Sequence, residues 1–292
     1  TGDERGIEYA EKTFDALKKY ASDTFYGGYF ENFKEDWTLE SAGVYGGDLK
    51  SLDIHMHTME AYTTLYEATH KEVHKRALQE IIDIVLKHMV DYDFWCGRNQ
   101  FSIDFTPKPA ISIRRTWNYD RDPESANKNP LDTTSYGHNI ELIWLGDVYK
   151  RQLLNRAYEV LGLPPAREFT RKFADYTLAN GWDNIHGGIY RDGMHDGRIV
   201  VTDKEWWQNF ESLTGFLDSY QATEDERYLD TFIKLWEFDK KYFYNPEVGE
   251  SRQLLLADGT PVIDDTGNQW KCIYHTDRAM MECCLRIESL TE

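Results

Sequence analysis

The sequence predicts a mostly helical fold in which pairs of helices stack into a ring. Three observations carry that expectation. Apolar residues recur at helical spacing through eight segments, near 4–21, 48–68, 71–91, 138–161, 165–180, 203–222, 225–243 and 275–288. The stretch AYTTLYEATHKEVHKRALQEIIDI at 61–84 returns as GFLDSYQATEDERYLDTFIKLWEF at 215–238; each is an amphipathic helix, a short Ala-Thr plus polar turn, and a second helix. Glycine elements follow the second helices, at Tyr26-Gly27-Gly28-Tyr29, at His186-Gly187-Gly188-Ile189-Tyr190 and more weakly at Val248-Gly249-Glu250. A lone helix pair cannot bury its apolar faces, so repeated pairs stack on one another.

Taken in order, the opening TGDERGIEYAEKTFDALKKY reads as the second helix of a pair whose first is absent. Segments 48–68 and 71–91 make a complete pair. Residues 92–137 are too many for a simple turn, and so are 245–274; connections of that length often carry function. A looser copy, AYEVLGLPPAREFTRKFADYTLANG, has Pro164-Pro165 at its turn. Just before it, Gly146-Asp147-Val148-Tyr149-Lys150-Arg151-Gln152 interrupts the apolar pattern between Trp144 and Leu153 with two adjacent cations. That insert reads either as a surface bulge or as an intrusion resembling a translated sequencing adapter. Segments 203–222 and 225–243 form another pair, and 275–288 the last helix. A closed ring of six pairs needs twelve helices. The expectation is therefore one partial domain over 1–292 that lacks N-terminal helix pairs.

Bulk composition narrows the function. With 292 residues, 41% of them hydrophobic, a full core is possible. Lys plus Arg number 33 against 51 Asp plus Glu, a net charge of −18, which repels nucleic acid and anionic lipid; neither is an expected partner. There is no signal-peptide pattern and no apolar run of membrane length. Cys96, Cys272, Cys283 and Cys284 lack metal-ligand spacing and suit free thiols in a reducing cytoplasm. Aromatic residues reach 14%, which fits either stacking on sugar rings or helical core filler.

Several residues could do chemistry. In SYGHNIE, His138 opens a helix behind Gly137, where the helix N-terminus disfavours positive charge and so favours a neutral, basic imidazole. Glu141 shares its face at i+3, to orient the ring or to cap the helix. In SLDIHMHTMEAY, Asp53 and His57 are i,i+4 neighbours and His57 and Glu60 are i,i+3 neighbours, among Leu52, Ile54, Met56 and Met59. Burying such polar groups is costly unless they are paired or used. His55 and His57 face different ways and do not share a metal easily. Trp206 and Trp207 are about 100° apart on a helix, so one can be core while the other lines a cavity. Trp270 and His275 stand just ahead of the last helix. His70 and His74 have i,i+4 metal-binding spacing, but Lys71, Glu72 and Lys75 around them suggest a solvated face.

Together, KSLDIHMHTMEAYTTLY, DFTPKP, SYGHNIE, EWWQNFE and QWKCIYH resemble the N-acylglucosamine 2-epimerase superfamily over nearly the whole chain. SYGH with WKC-Y-H favours its disaccharide branch. The resemblance implies an all-α (α/α)6 barrel. It also implies reversible C2 epimerisation of a reducing-end glucose to mannose in a β-1,4-linked disaccharide such as cellobiose or mannobiose. It assigns His138 and His275 as acid and base on opposite faces of the sugar, and His57 as a third histidine for ring opening. Glu141 orients the site, Trp207 and Trp270 stack on the sugar, and Asp53, Glu211 and Phe105 complete the binding set. Two imidazoles suit the chemistry, because each proton transfer wants a group with a pKa near neutral. No metal, nicotinamide or other cofactor is implied, and the expected assembly is a monomer or weak homodimer. The chain departs from the family at Asp53, where Asn is usual, at Phe105 for Trp, at Ile273 for Pro and at Asn139 for Asp. The family's N-terminal Arg and Tyr have no counterpart here, and the loop 106–134 is longer than expected. An aldose–ketose isomerase, a silent sugar-binding fragment and a glycoside hydrolase are the competing expectations.

Overall fold

The structure, a computed structural model, describes residues 3–43, 46–109, 131–144, 153–164, 166–268 and 270–291. Its helices are α1 (Glu4–Ala16), α2 (Leu52–Thr69), α3 (Glu72–Ile84), α4 (Tyr136–Trp144), α5 (Leu153–Val160), α6 (Arg167–Asn180), α7 (Trp206–Thr223), α8 (Glu226–Phe238) and α9 (Ile273–Thr291). The interrupting segment 146–152 lies outside the described residues. Among the described residues no helix is long and apolar enough to cross a membrane, and all four cysteines are unpaired.

The repeat read from the sequence is present residue by residue. Helices α2 and α7 each run 18 residues and end on a left-handed residue, His70 (φ 52°) or Glu224 (φ 59°), which turns the chain back. Next come α3 and α8, each of 13 residues and each continued by a five-residue π-turn, Val85–Met89 or Asp239–Phe243. Helix α1 has the same length and the same continuation, Leu17–Ala21. Helices α1, α3 and α8 are amphipathic: α3 buries Ala77, Leu78, Ile81 and Ile82 on one side. Helices α4 and α7 are buried almost all round, α4 at every residue but His138. This is the two-layer division expected of stacked pairs.

The long connections, expected as loops, hold short antiparallel strands. Residues Leu49–Ser51 pair with Gln100–Ser102, which pairs with Pro107–Lys108. Thr133–Ser135 pairs with Asp192–Met194 and that with Ile199–Val201, while Lys204–Glu205 pairs with Leu254–Leu255 and that with Pro261–Ile263. Each strand that leads directly into α2, α4 or α7 is thus pinned in a three-stranded sheet. The strands escape sequence reading because they are two or three residues long, too short for a period-two pattern.

Turns with the same hydrogen bonds sit beside these sheets. Asp23 Oδ1 accepts from the N–H groups of Phe25 and Tyr26, and Asp183 Oδ1 from those of Ile185 and His186. Buried lysines tie the turns down. Lys50 Nζ donates to Asp23 Oδ2, Gly27 O and Ile103 O, each at 2.7 Å. Lys204 Nζ donates to Asp183 Oδ2 at 2.8 Å and to Ala257 O. Gly28 (φ 74°) is required here: a Cβ would stand 2.5 Å from His55 Nε2.

Candidate active site

Four helices start at one shared register. Leu52, Tyr136, Trp206 and Ile273 open α2, α4, α7 and α9. Three residues into each of the first three stands a group that accepts from a turn amide. Tyr29 N–H donates to His55 Nε2 (3.1 Å), Gly97 N–H to Asn139 Oδ1 (2.7 Å) and Ile189 N–H to Asn209 Oδ1 (3.0 Å). His55 is therefore structural; its Nδ1 is also 2.7 Å from Ser51 O, and burial lowers its pKa to about 4.

Two residues beyond that acceptor, the same position yields His57, Glu141, Glu211 and, in α9, Arg278. These four side chains converge. Arg278 Nη2 donates to Glu211 Oε1 at 2.7 Å and to Glu141 Oε1 at 3.3 Å, and Nη1 donates to Glu60 Oε1 at 3.0 Å. His57 Nε2 lies 3.9 Å from Glu141 Oε1 and 3.3 Å from Asp53 Oδ1, and its Nδ1 lies 3.2 Å from Glu60 Oε2. Tyr274 O–H completes the rim by donating to Glu60 Oε2 at 2.9 Å.

His138 and His275 share one further position, with Gln208 between them on α7. The Trp207 ring lies beside both, 4.8 Å from the His138 ring centroid and 5.7 Å from that of His275. Gly137 makes this possible, since a Cβ there would meet Gln208 Cγ at 2.4 Å and Trp207 Cζ3 at 2.8 Å. His138 Nε2 is 3.5 Å from Asp53 Oδ1. His275 Nδ1 is 2.5 Å from Glu211 Oε1. Trp206 is buried, whereas the neighbouring Trp207 lies beside the two histidines.

The charges sort by environment. Desolvation opposes charge on His57, yet Glu141, Asp53 and Glu60 outweigh it and hold its pKa well above the usual histidine value. Burial wins at His138, whose pKa is lowered although Asp53 pulls the other way. Loss of water disfavours the half-exposed Asp53 carboxylate, but His57 and His138 more than compensate and keep it low. Glu141 and Glu211 diverge. Burial and the neighbouring Glu211 push Glu141 well up, while Arg278 and His275 overcome burial and hold Glu211 down. A fixed imidazolium, a neutral imidazole and a carboxylate-paired imidazole thus face one region, which is a set suited to acid–base chemistry.

A metal ion has a poorer claim. Among the described residues Glu141, Glu211 and His275 offer ligand atoms within 4.8 Å of one another, but the Arg278 guanidinium already occupies an oxygen of both carboxyl groups.

Two residues expected in the binding set differ sharply in burial. Phe105 (φ 63°) is buried against His55, His88 and Phe101 with Lys50 Nζ 4.3 Å over its ring, on the structural side of α2. Trp270 is 47% exposed ahead of α9. His74 also departs from expectation. It is buried, 2.7 Å from Thr69 Oγ1 and edge-on to Phe14, so no solvated i,i+4 face forms with His70. Sequence reading missed Arg278 and Tyr274 altogether and gave Glu60 no role. It also passed over Glu31, which accepts from Ser51 Oγ at 2.5 Å and whose carboxyl burial pushes up to about 7. Aligning the four helix starts would have found Arg278.

Known proteins resemble this chain over nearly its whole length. A cellobiose 2-epimerase of Ruminococcus albus is 28% identical over 296 residues, covering 98% of this chain and 67% of the relative. A cellobiose 2-epimerase of Bacteroides fragilis is 27% identical, covering 97% of this chain and 66% of the relative. The solved cellobiose 2-epimerase of Spirochaeta thermophila superposes with a TM-score of 0.76 at 27% identity, over 100% of this chain and 67% of that one. The chain thus spans about two-thirds of the length of these relatives. The family described as N-acylglucosamine 2-epimerase matches residues 1–279, and the chain belongs to that family.

Proposed function

We propose that this chain is a single, partial (α/α)6 toroid that epimerises C2 of the reducing-end glucose of a β-1,4-linked disaccharide such as cellobiose. The observation that carries the reading is the placement of His138 and His275 around one indole, Trp207, with buried carboxylates beside them. C2–H is acidic only beside a carbonyl, so the ring must open first. His57, held as an imidazolium, can give a proton to the ring oxygen, and the neutral imidazole so formed takes the C1 hydroxyl proton, leaving the free aldehyde and restoring the imidazolium. His138, with its lowered pKa, removes the C2 proton, the electron pair moves through C1=C2 to O1, and O1 takes a proton from the His57 imidazolium to give the enediol. His275, its Nδ1 engaged by Glu211, delivers a proton to the other face of C2 as O1 gives its proton back. Ring closure releases the mannose-ended product. In the reverse direction the two histidines exchange roles. Glu211 and Arg278 hold the His275 side, and Asp53 links the other two imidazoles.

The test is incubation with cellobiose in heavy water. The reading expects deuterium at C2 and a mannose-ended disaccharide. Deuterium at C1 with a ketose product would make the chain an isomerase, and release of glucose would make it a hydrolase. Calorimetric binding without turnover would leave it a sugar-binding protein.

A further inference from the structure

The residue that precedes each of the four helices at the site occupies a capping position, and in α7 it breaks the pattern. Ser51 Oγ accepts from Ile54 N–H and Ser135 Oγ from His138 N–H, both at 3.3 Å, as helix-capping serines do. The same position before α7 holds Glu205, and its side chain does not cap the helix. It is almost wholly buried, at 2% exposure, which is costly for a carboxyl group that the helix does not need. Its Oε2 instead accepts from Trp207 Nε1 at 3.0 Å and lies 3.3 Å from Arg191 Nε.

Arg191, also buried, reaches the other half of the site through its main chain. Its carbonyl accepts from Tyr136 N–H at 3.4 Å, at the start of the helix that carries His138. It accepts as well from Gln208 Nε2 at 3.2 Å, and Gln208 Nε2 in turn donates to Ser135 Oγ at 3.0 Å. Arg191 therefore meets Glu205, which holds the indole, on one side and the first turn of α4 on the other.

From this geometry we infer that Glu205 is a positioning residue, braced by Arg191, that fixes the Trp207 indole between His138 and His275 and so confines the opened sugar to the space both imidazoles reach. The inference rests on the epimerase reading and deepens it. An unanchored indole could turn about χ1 and χ2, and small losses of alignment between reacting groups cost large factors in rate. Burial pushes the Glu205 carboxyl up to about 6, although Arg191 and Trp207 offset part of that. The acceptor oxygen, more than the charge, is what the indole needs.

Two readouts on the full chain test it. With indole nitrogens labelled, the Trp207 N–H resonance is the one lost in Trp207→Phe. It should move in Glu205→Leu and stay close to its place in Glu205→Gln, which keeps an acceptor. With cellobiose as substrate, kcat/KM should fall about tenfold or more in Glu205→Leu and no more than about threefold in Glu205→Gln, at unchanged melting temperature. An indole resonance unmoved in Glu205→Leu overturns the inference, and so does equal loss of activity in both variants. If the unsubstituted chain turns over no cellobiose, the epimerase reading fails on its own, and the indole resonances still decide whether Glu205 holds Trp207.

Discussion

Glu211 Oε1 stands 2.5 Å from Nδ1 of His275, and both side chains are held between α7 and α9. A carboxylate on one imidazole nitrogen fixes the ring and leaves the other nitrogen for proton exchange. Glu211→Gln should lower kcat by roughly 10²-fold with little change in KM, because the ring stays in place but loses its charged partner. Steady-state kinetics on cellobiose, with circular dichroism to show an intact fold, checks this.

Asp53 bridges His57 and His138. Its charge raises the pKa of His138 against the lowering effect of burial. Removing that charge in Asp53→Asn should let the His138 pKa drop further. A base with a lower pKa remains neutral in more acidic solution, so the acid limb of the pH–kcat/KM profile should move to lower pH. An unmoved limb would mean that another group controls it.

Asp239 should be a burden on stability. It occupies the π-turn position held by Leu17 and Val85 in the other copies, it is buried, and neither carboxyl oxygen has a hydrogen-bond partner among the described residues. Burial raises its pKa well above the ordinary value. The folded state therefore binds the proton more tightly than the unfolded state does. The associated stability is fully present below the unfolded pKa and is lost as pH rises through the folded one. Asp239→Leu should stabilise the fold at neutral pH by about 1–3 kcal/mol, the range for relieving a buried unsatisfied polar group. The gain should shrink in acid. Denaturant melts at two pH values measure both effects.

Lys50 should behave oppositely. Lys50→Met strands the buried Asp23 carboxylate and two carbonyls, and should cost about 3–5 kcal/mol, as loss of one partner of a buried ion pair does. The double variant with Asp23→Asn should recover part of that loss in the same melts.

The helices were legible because their faces differ in burial, and the 61–84 and 215–238 copies marked the repeat correctly. What stayed hidden was identity of position without identity of residue. His57, Glu141, Glu211 and Arg278 share one register but no common chemistry, so similarity alone could not group them. Arg278, beside Asp277 on a helix with many polar residues, carries no signal of its own in the sequence, and the fold places three carboxyl groups around it. Phe105 makes a related point. Its place near a substrate came from resemblance, whereas its ring is turned inward under Lys50 and Gly28.

The π-turns at the ends of α1, α3 and α8 set the angular phase at which the chain leaves each helix. In the first, Ser22 N–H reaches back five residues to Leu17 O. Deleting a single residue there would rotate all that follows by about 100°. Asp23 would swing away from Lys50, and the sheet that aims α2 would lose its anchor. The outer ends of these helices are thus a place where a one-codon deletion, far from any histidine, would misaim the chemistry as surely as a substitution within it.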